Sequence, residues 1–408
     1  MSHFRVNVTT HVFPVRIAAL ALHQRSAPID ARERLLDAVA DWRGRPDCIV
    51  LATCHRVEVY FSGPAADDVD DRSGEIDARG GGGVGVSLIP LHGSDAVRHL
   101  FEVATGLDSA VQGEPQIRGQ VRALLASAPP TLDPILRRVL ERALSLSRSL
   151  RRRPELAGVG RSVGSLAVDE VLRLLSEPDR ATVLVVGAGE MGTLAVRALS
   201  GRVGRVVVAN RDHGRGETLA RSVGAEAIGL ADVARRLWDV DAIVSAADTR
   251  GSVFDETALA ERVARGQLAL IDIAVPRSVV PTARALAGLI YRSVDDLAGV
   301  QTLAPADAAG VRLACAREAE RFAVDEAERA AARAITDVRA HANGLRLRQL
   351  DRALRRLGHL SARDRRVVEA LSASVLNSLL HEPTVVLKRE PDRREHALAL
   401  FGLGHERR

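Results

Sequence analysis

Apolar positions change period several times along these 408 residues, and each change predicts a change of element. Val15 to Leu22 reads as a strand. From Asp30 to Trp42, Leu35, Leu36 and Val39 fall on one helical face, and Cys48 to Thr53 is a second short apolar strand. Val57 to Phe61 partly alternates, as a strand with one wetter face does. Between 62 and 90 neither period survives. Asp67, Asp68, Asp70 and Asp71 crowd one part and Gly80 to Gly83 another, which predicts a flexible surface loop that tolerates deletion.

Order resumes at Gly93, where Val97, Leu100, Phe101 and Ala104 repeat on a helix with Ser94 as candidate N-cap. A helical pattern runs from Pro134 towards Pro154 and another from Ser165 to Leu175, so a domain boundary falls near 155 to 165. Then come short apolar runs without alternation: 181–186, 206–209, 242–246, 268–275 and 289–291. They read as strands buried on both faces, parallel and joined by helices, with a ligand crevice at their carboxyl ends. After Pro305 no proline appears until Pro383, which predicts a long helical region with an interruption at Gly344. Its stripe of Leu347, Leu350, Leu354 and Leu357, then Leu371, Val375 and Leu379, is too thin to bury itself, so a homodimer is expected.

The first parallel strand ends in Gly187-Ala188-Gly189-Glu190-Met191-Gly192, the dinucleotide fingerprint at a strand-to-helix junction. The first glycine permits the turn, the second lets backbone approach a pyrophosphate, and the third lets helix and strand pack closely. The second strand ends in Asn210-Arg211, where an NAD site carries an acid for the ribose. Arginine there suits a 2′-phosphate and favours NADPH.

Composition narrows the class. Hydrophobic residues make up 46% of the chain, normal for real cores, and no run approaches membrane-spanning length. The first residues lack a signal peptide's segments, so a cytoplasmic protein is expected. The net charge of +5 invites a nucleic-acid partner, but Lys388 is the only lysine, so the basic excess is an arginine bias spread along the chain. Cys48, Cys54 and Cys315 form no CxxC pair, which argues against a disulfide framework and against a zinc site.

Cys54 follows Thr53 at a strand end and precedes His55 and Arg56. A thiol beside one fixed cation and one imidazole suits a low-pKa nucleophile, although burial as a small apolar group is the commoner state of a free cysteine. Cys48 and Cys315 fit that commoner state. His99 sits beside the apolar stripe of its helix. Residues 106–121 are richer in glycine and polar amides than a connector needs, with Ser109, Glu114, Gln116 and Gln120 available to a polar substrate.

Taken together, these segments resemble the glutamyl-tRNA reductases, which begin the C5 route to 5-aminolevulinate and tetrapyrroles. The family's T-C-N-R-x-E-x-Y stands here as Thr53-Cys54-His55-Arg56-Val57-Glu58-Val59-Tyr60, and its H-L-F-x-V-A-x-G-L-D-S stretch through G-Q-V stands nearly complete from His99 to Val121. The fingerprint, the following AsnArg, AspIleAlaValProArg, ValAspAspLeu and LeuLeuHisGluProThrValValLeuLys match in order.

The resemblance implies a V-shaped multidomain α/β protomer: an α+β catalytic domain over 1–155, a Rossmann NADPH domain with a parallel sheet over 156–300, and an all-helical dimerisation domain over 301–408. It implies Cys54 as nucleophile in an NADPH-dependent reduction of glutamyl-tRNA(Glu) to glutamate-1-semialdehyde through a thioester. His99 would handle protons. Thr53, His55, Arg56, Ser109, Glu114, Pro115, Gln116 and Gln120 would hold the glutamyl group, with Arg56 a bidentate partner for its carboxylate. Gly187 to Gly192, Asn210 and Arg211 would bind NADPH, and a glutamate-1-semialdehyde aminomutase would receive the aldehyde.

His55 replaces the usual Asn, and N-H-x-[ST]-A-P stands as His23-Gln24-Arg25-Ser26-Ala27-Pro28. Gln112 and Arg118 occupy normally apolar positions, and Ala247 replaces a common Thr. These departures bear on affinity and rate more than on reaction type. Two rival readings stand beside the enzyme: a weak regulatory paralogue that binds NADPH or tRNA, and a shikimate-type dehydrogenase of a small free substrate, which leaves Cys54 and the helical arm unexplained.

Overall fold

The computed structural model describes residues 15–53, 55–79, 88–109, 116–152, 162–247, 252–254, 256–297, 304–390 and 393–403. Arg16–Ala316 forms one compact unit, and the chain from Arg317 on belongs to another.

The first unit opens with β1 (Ile17–His23), α1 (Ile29–Ala38), β2 (Cys48–Ala52), β3 (Arg56–Ser62), α2 (Pro64–Asp67), α3 (Val69–Arg79) and β4 (Ile89–His92). The strands make an antiparallel sheet in the order β2-β3-β1-β4, with Leu20 opposite Val59 and Val50 opposite Val59 on the other side. Leu20, Leu35, Trp42, Val57, Val59 and Phe61 form the core on one face. Three helices follow, α4 (Gly93–Thr105), α5 (Gln116–Ser127) and α6 (Pro134–Leu150), and α4 packs on β1 while α6 packs on β3.

Several expectations need correction here. Residues 64–67 and 69–79 are helical rather than loop, and Val69 and Ile76 are fully buried in the sheet's core, which argues against tolerance of deletion. Val69 and Ile76 lie seven residues apart, on one face of α3, and Asp67, Asp68, Asp70 and Asp71, which masked this pattern, are exposed. Strand β3 has no wetter face, because Arg56, Glu58 and Tyr60 turn into a buried polar cluster. Ser94 does not cap α4, which starts at Gly93, and its hydroxyl is buried without a hydrogen bond.

The rest of the unit is doubly wound. Helix α7 (Val163–Leu174) leads into β5 (Thr182–Val186), α8 (Glu190–Leu199), β6 (Arg205–Asn210), α9 (His213–Arg221), β7 (Glu226–Gly229) and α10 (Val233–Arg236). Then come β8 (Ala242–Ser245), α11 (Glu256–Val263), β9 (Leu268–Asp272) and β10 (Leu289–Ser293). All six strands are parallel, in the order β10-β9-β8-β5-β6-β7. Edge strand β7 was not foreseen, since its four residues carry no apolar run. On α11, the buried Arg262 donates from Nε and Nη2 to the Val240 carbonyl at 3.1 and 2.7 Å.

Helix α12 (Pro305–Arg356) runs unbroken through Gly344 for 52 residues, so the expected interruption falls instead at Leu357–Ser361, around Gly358. Helices α13 (Ala362–Arg389) and α14 (Arg394–Leu400) follow. Val338, Ala342 and Leu380 form a small core there, while Val367, Leu371, Val375 and Leu379 remain 51–69% exposed, each four residues after the last. Among the described residues no helix is long and apolar enough to cross a membrane.

Candidate active site

The turn between β2 and β3 is tightly held. Thr53 N donates to the Arg56 carbonyl at 2.9 Å, His55 N donates to Thr53 Oγ1 at 3.2 Å, and Gln24 N donates to the His55 carbonyl at 2.9 Å. Cys54 itself, with Glu114, Pro115 and Gln112, lies outside the described residues. Its neighbours His55 and Arg56 are 6% and 2% exposed.

Behind the turn, alternation along β3 puts Arg56, Glu58 and Tyr60 on one face, towards α4. Glu58 is fully buried. Its Oε1 accepts from Arg56 Nη1 at 2.8 Å and lies 3.0 Å from His99 Nε2 and 3.5 Å from His23 Nε2, while Oε2 accepts from Tyr60 Oη at 2.6 Å. Helix α4 ends at Gly106 in the left-handed conformation, φ 81°, and the turn that follows returns Asp108 to the cluster. There Asp108 pairs with Arg25, lies 3.2 Å from Arg56 Nη1 and 3.3 Å from His23 Nδ1, and accepts from Arg56 Nη2 at its backbone carbonyl.

Charge in this cluster is fixed by its neighbours. Burial works against the Glu58 carboxylate, but His99, Arg56 and His23 together outweigh it and hold the carboxyl well below its usual range. Burial pulls His23 down to about 3 against the attraction of Glu58, helped by Arg56, His99 and Arg25. His55 also falls to about 3, through burial and then the charges of Arg32 and Arg56. Both imidazoles are therefore neutral at pH 7. Cys48 and Cys315, pushed up by burial to about 11 and about 12, are inert, as the sequence led one to expect.

Thr53, His55, Arg56, Ser109, Ile117 and Gln120 line a narrow recess together with Met191 of the fingerprint. Thus five of the six predicted substrate residues that are described line one recess, Gln116 being the exception, and one fingerprint residue joins them. Gln116, at the start of α5, is 2% exposed and both of its amide atoms lack a hydrogen-bond partner. Arg56 also has partners within the protein: Nη1 donates to Glu58 and Asp108, and Nη2 to the Asp108 carbonyl. Glu58 and Tyr60 stood in the motif around Cys54 and were legible by strand alternation. His23 and Asp108 had no local signal and come in through the fold.

His23, His99 and Asp108 also bring three donor atoms within 4.8 Å of one another, a grouping the expectation of no zinc site did not foresee. Arg25 and Arg56 on Asp108 set two cations beside it, which opposes a divalent ion there.

The fingerprint fits a dinucleotide. Gly187 has φ 106°, and a Cβ there would come within 2.5 Å of the Ala246 carbonyl oxygen. A Cβ on Gly192 would lie 1.8 Å from the Gly187 oxygen. At Gly189 the same position meets nothing within 4 Å, and the N-terminus of α8 that begins there has no side-chain cap. Asn210 serves the protein rather than facing outward: its Oδ1 accepts from Ala188 N at 3.0 Å and its Nδ2 donates to the Asp212 carbonyl at 2.8 Å. Arg211 is exposed. Between α8 and α9 lies a cavity of about 520 Å³ lined by Ala188, Thr193, Arg197, Asp212, Arg215 and Thr218, among others. Glu190, at the start of α8, rests its carboxylate against Gly119 of α5.

A doubly wound sheet with this fingerprint, opening onto a second catalytic module, defines a pyridine-nucleotide-dependent oxidoreductase. The family model for the N-terminal domain of glutamyl-tRNA(Glu) reductase matches residues 16–153, that for its dimerisation domain matches 312–403, and that for shikimate/quinate 5-dehydrogenase matches 169–300. Glutamyl-tRNA reductase 2 of Anaeromyxobacter sp. (strain Fw109-5) is 35% identical over 400 residues, covering 91% of this chain and 92% of its own. Glutamyl-tRNA reductase of Sorangium cellulosum (strain So ce56) is 32% identical over 411 residues, covering 90% of this chain and 78% of its own. Among solved structures, glutamyl-tRNA reductase from Methanopyrus kandleri is 28% identical with a TM-score of 0.46, over 92% of this chain and 99% of that one. The chain belongs to the glutamyl-tRNA reductase family.

Proposed function

We propose that this protein reduces glutamyl-tRNA(Glu) to glutamate-1-semialdehyde with NADPH, by way of a thioester on Cys54. The observation that carries the reading is the recess in which the flanks of Cys54, the polar residues Ser109 and Gln120, and Met191 of the fingerprint meet.

The Cys54 thiolate attacks the carbonyl of the ester between glutamate and the tRNA 3′ end. The C–O bond breaks, the ribose hydroxyl leaves with a proton, and glutamate remains as a thioester, a better hydride acceptor than the oxygen ester. His99, held on Glu58, would move that proton. Gln116, with its unpartnered amide, and Ser109, Gln120, Thr53 and His55 orient the glutamyl group. NADPH, when bound, supplies the hydride that turns the thioester carbonyl into the aldehyde. Gly187 to Gly192 would hold its pyrophosphate and the cavity between α8 and α9 its adenosine end, with Arg215 of that cavity and the exposed Arg211 as cations for the 2′-phosphate.

The exposed stripe on α13 supports a homodimer through the helical region. Three domains divided near 155 and 300, a cytoplasmic setting and transfer of the labile aldehyde to an aminomutase complete the reading.

Purified protein with glutamyl-tRNA and NADPH tests it. Semialdehyde formation by wild type that disappears in Cys54→Ser supports both the reaction and the nucleophile. Tight NADPH binding without turnover would sink the enzyme and favour a regulatory paralogue.

A further inference from the structure

Helix α1 packs Ala31 and Leu35 into the catalytic module, yet Ile29, Arg32 and Glu33 of its first turns reach the nucleotide module. Ile29 packs in the core built from α7, α8 and the parallel sheet, beside Val163, Val168, Ile273 and Val294. Arg32, fully buried, donates from Nη2 to Asp295 Oδ1 at 2.5 Å. Glu33 accepts three hydrogen bonds from Arg277, at 2.7 Å from its backbone N, 3.2 Å from Nε and 2.8 Å from Nη2, and Arg277 also pairs with Asp30.

Both anchoring residues sit at the carboxyl edge of the sheet. Arg277 follows β9 in a loop fixed by Asp272, which accepts from Ala274 N at 3.2 Å and Ser278 N at 2.9 Å. Asp295 follows β10 by two residues. That edge is where a parallel sheet holds its dinucleotide. On the other side, the loop that leads into α1 is tied to the Cys54 turn, where Gln24 N donates to the His55 carbonyl at 2.9 Å. Helix α1 and the loop before it are therefore tied both to the carboxyl edge of the parallel sheet and to the Cys54 turn.

We propose that α1 is a clamp that sets the cofactor crevice against the Cys54 turn, making Arg32, Glu33 and Arg277 positioning residues for the reductive half of the reaction. This rests on the activity proposed above. Hydride addition to the thioester carbonyl breaks the C–S bond, returns the Cys54 thiolate, releases the aldehyde and leaves NADP⁺. Water reaching the same carbonyl breaks the same bond and releases glutamate instead. Formation of the thioester uses only the catalytic module, so a loosened clamp leaves that step intact and diverts its product to water.

The test uses full-length protein and glutamyl-tRNA, with wild type, Glu33→Arg, Arg277→Glu and the double variant. Glutamate release is measured without NADPH, and semialdehyde and glutamate are measured with it. Each single variant should keep NADPH-independent glutamate release within about twofold while aldehyde yield falls on the order of tenfold in favour of glutamate, as expected for a broken charge pair. The double variant should recover part of the aldehyde. Parallel loss of both activities, full aldehyde yield in the single variants, or no recovery in the double variant would each overturn the clamp. A wild type that releases neither product would sink the activity itself and the clamp with it, a pattern distinct from any loss confined to the variants.

Discussion

Two glycines of the fingerprint, three residues apart, should respond in opposite ways to one added methyl group. At Gly192 the new Cβ would stand 1.8 Å from the Gly187 carbonyl oxygen, whereas ordinary contact begins at 3.4 Å, so α8 must move about 1.6 Å off the turn. Helix α8 is packed against α7, where Gly164 already leaves only 2.8 Å between a would-be Cβ and the Met191 carbonyl. The helix has little room to retreat, and Gly192→Ala should cost about 1–3 kcal/mol of overpacking or more. At Gly189 the Cβ meets nothing within 4 Å and the backbone is extended, so Gly189→Ala should fold at a cost below about 1 kcal/mol, that of losing glycine at the N-cap of α8. Its methyl would instead project into the space that the pyrophosphate needs. Displacing that group by a similar overpacking energy corresponds to an NADPH Kd about ten- to a hundredfold weaker. Thermal unfolding by circular dichroism and NADPH titration by nucleotide fluorescence separate the two effects. Equal destabilisation by both variants, or an unchanged Kd for Gly189→Ala, would refute the geometry.

Two further outcomes follow from burial. His23 and His55 titrate near 3 in the folded protein against 6.5 when free, so the unfolded chain binds more protons between those values; stability is complete above about pH 6.5 and is lost as pH falls towards 3. Each imidazole should cost about 2 kcal/mol at pH 5, and His55→Asn should flatten that dependence in acid melts followed by circular dichroism. Leu371→Glu with Leu379→Glu, at positions 62% and 69% exposed, should leave the helix content unchanged and convert a dimer to monomer in sedimentation, whereas a monomeric wild type would remove the role assigned to that stripe.

The sequence carried most of the architecture because its signals were local. Five of the six parallel strands announce themselves as short apolar runs, and Gly187 and Gly192 leave no room for a Cβ, as the fingerprint spacing predicted. What escaped depended on distance along the chain. Residues 64–79 looked like a loop because two buried side chains, Val69 and Ile76, anchor a helix otherwise covered in polar residues. The cluster around Glu58 gathers His23, His99 and Asp108 from three elements, and no pattern within any one of them reports that meeting. Arg56 was legible as a residue of the site, but its engagement with Glu58 and Asp108 was not, because Asp108 reaches it only through the turn at Gly106.

The arginine bias of the composition acquires a meaning once Arg32, Arg56 and Arg262 are seen buried at 0%, 2% and 8% exposure. A guanidinium keeps its proton at any pH a protein survives, so these interior contacts have no alkaline limit of their own. Lysine in the same places would be free to shed its proton when desolvated, and every joint it made would loosen as the medium turned basic. With Lys388 as its only lysine, the chain has built its internal ties from the one cation that solvent alkalinity does not switch off.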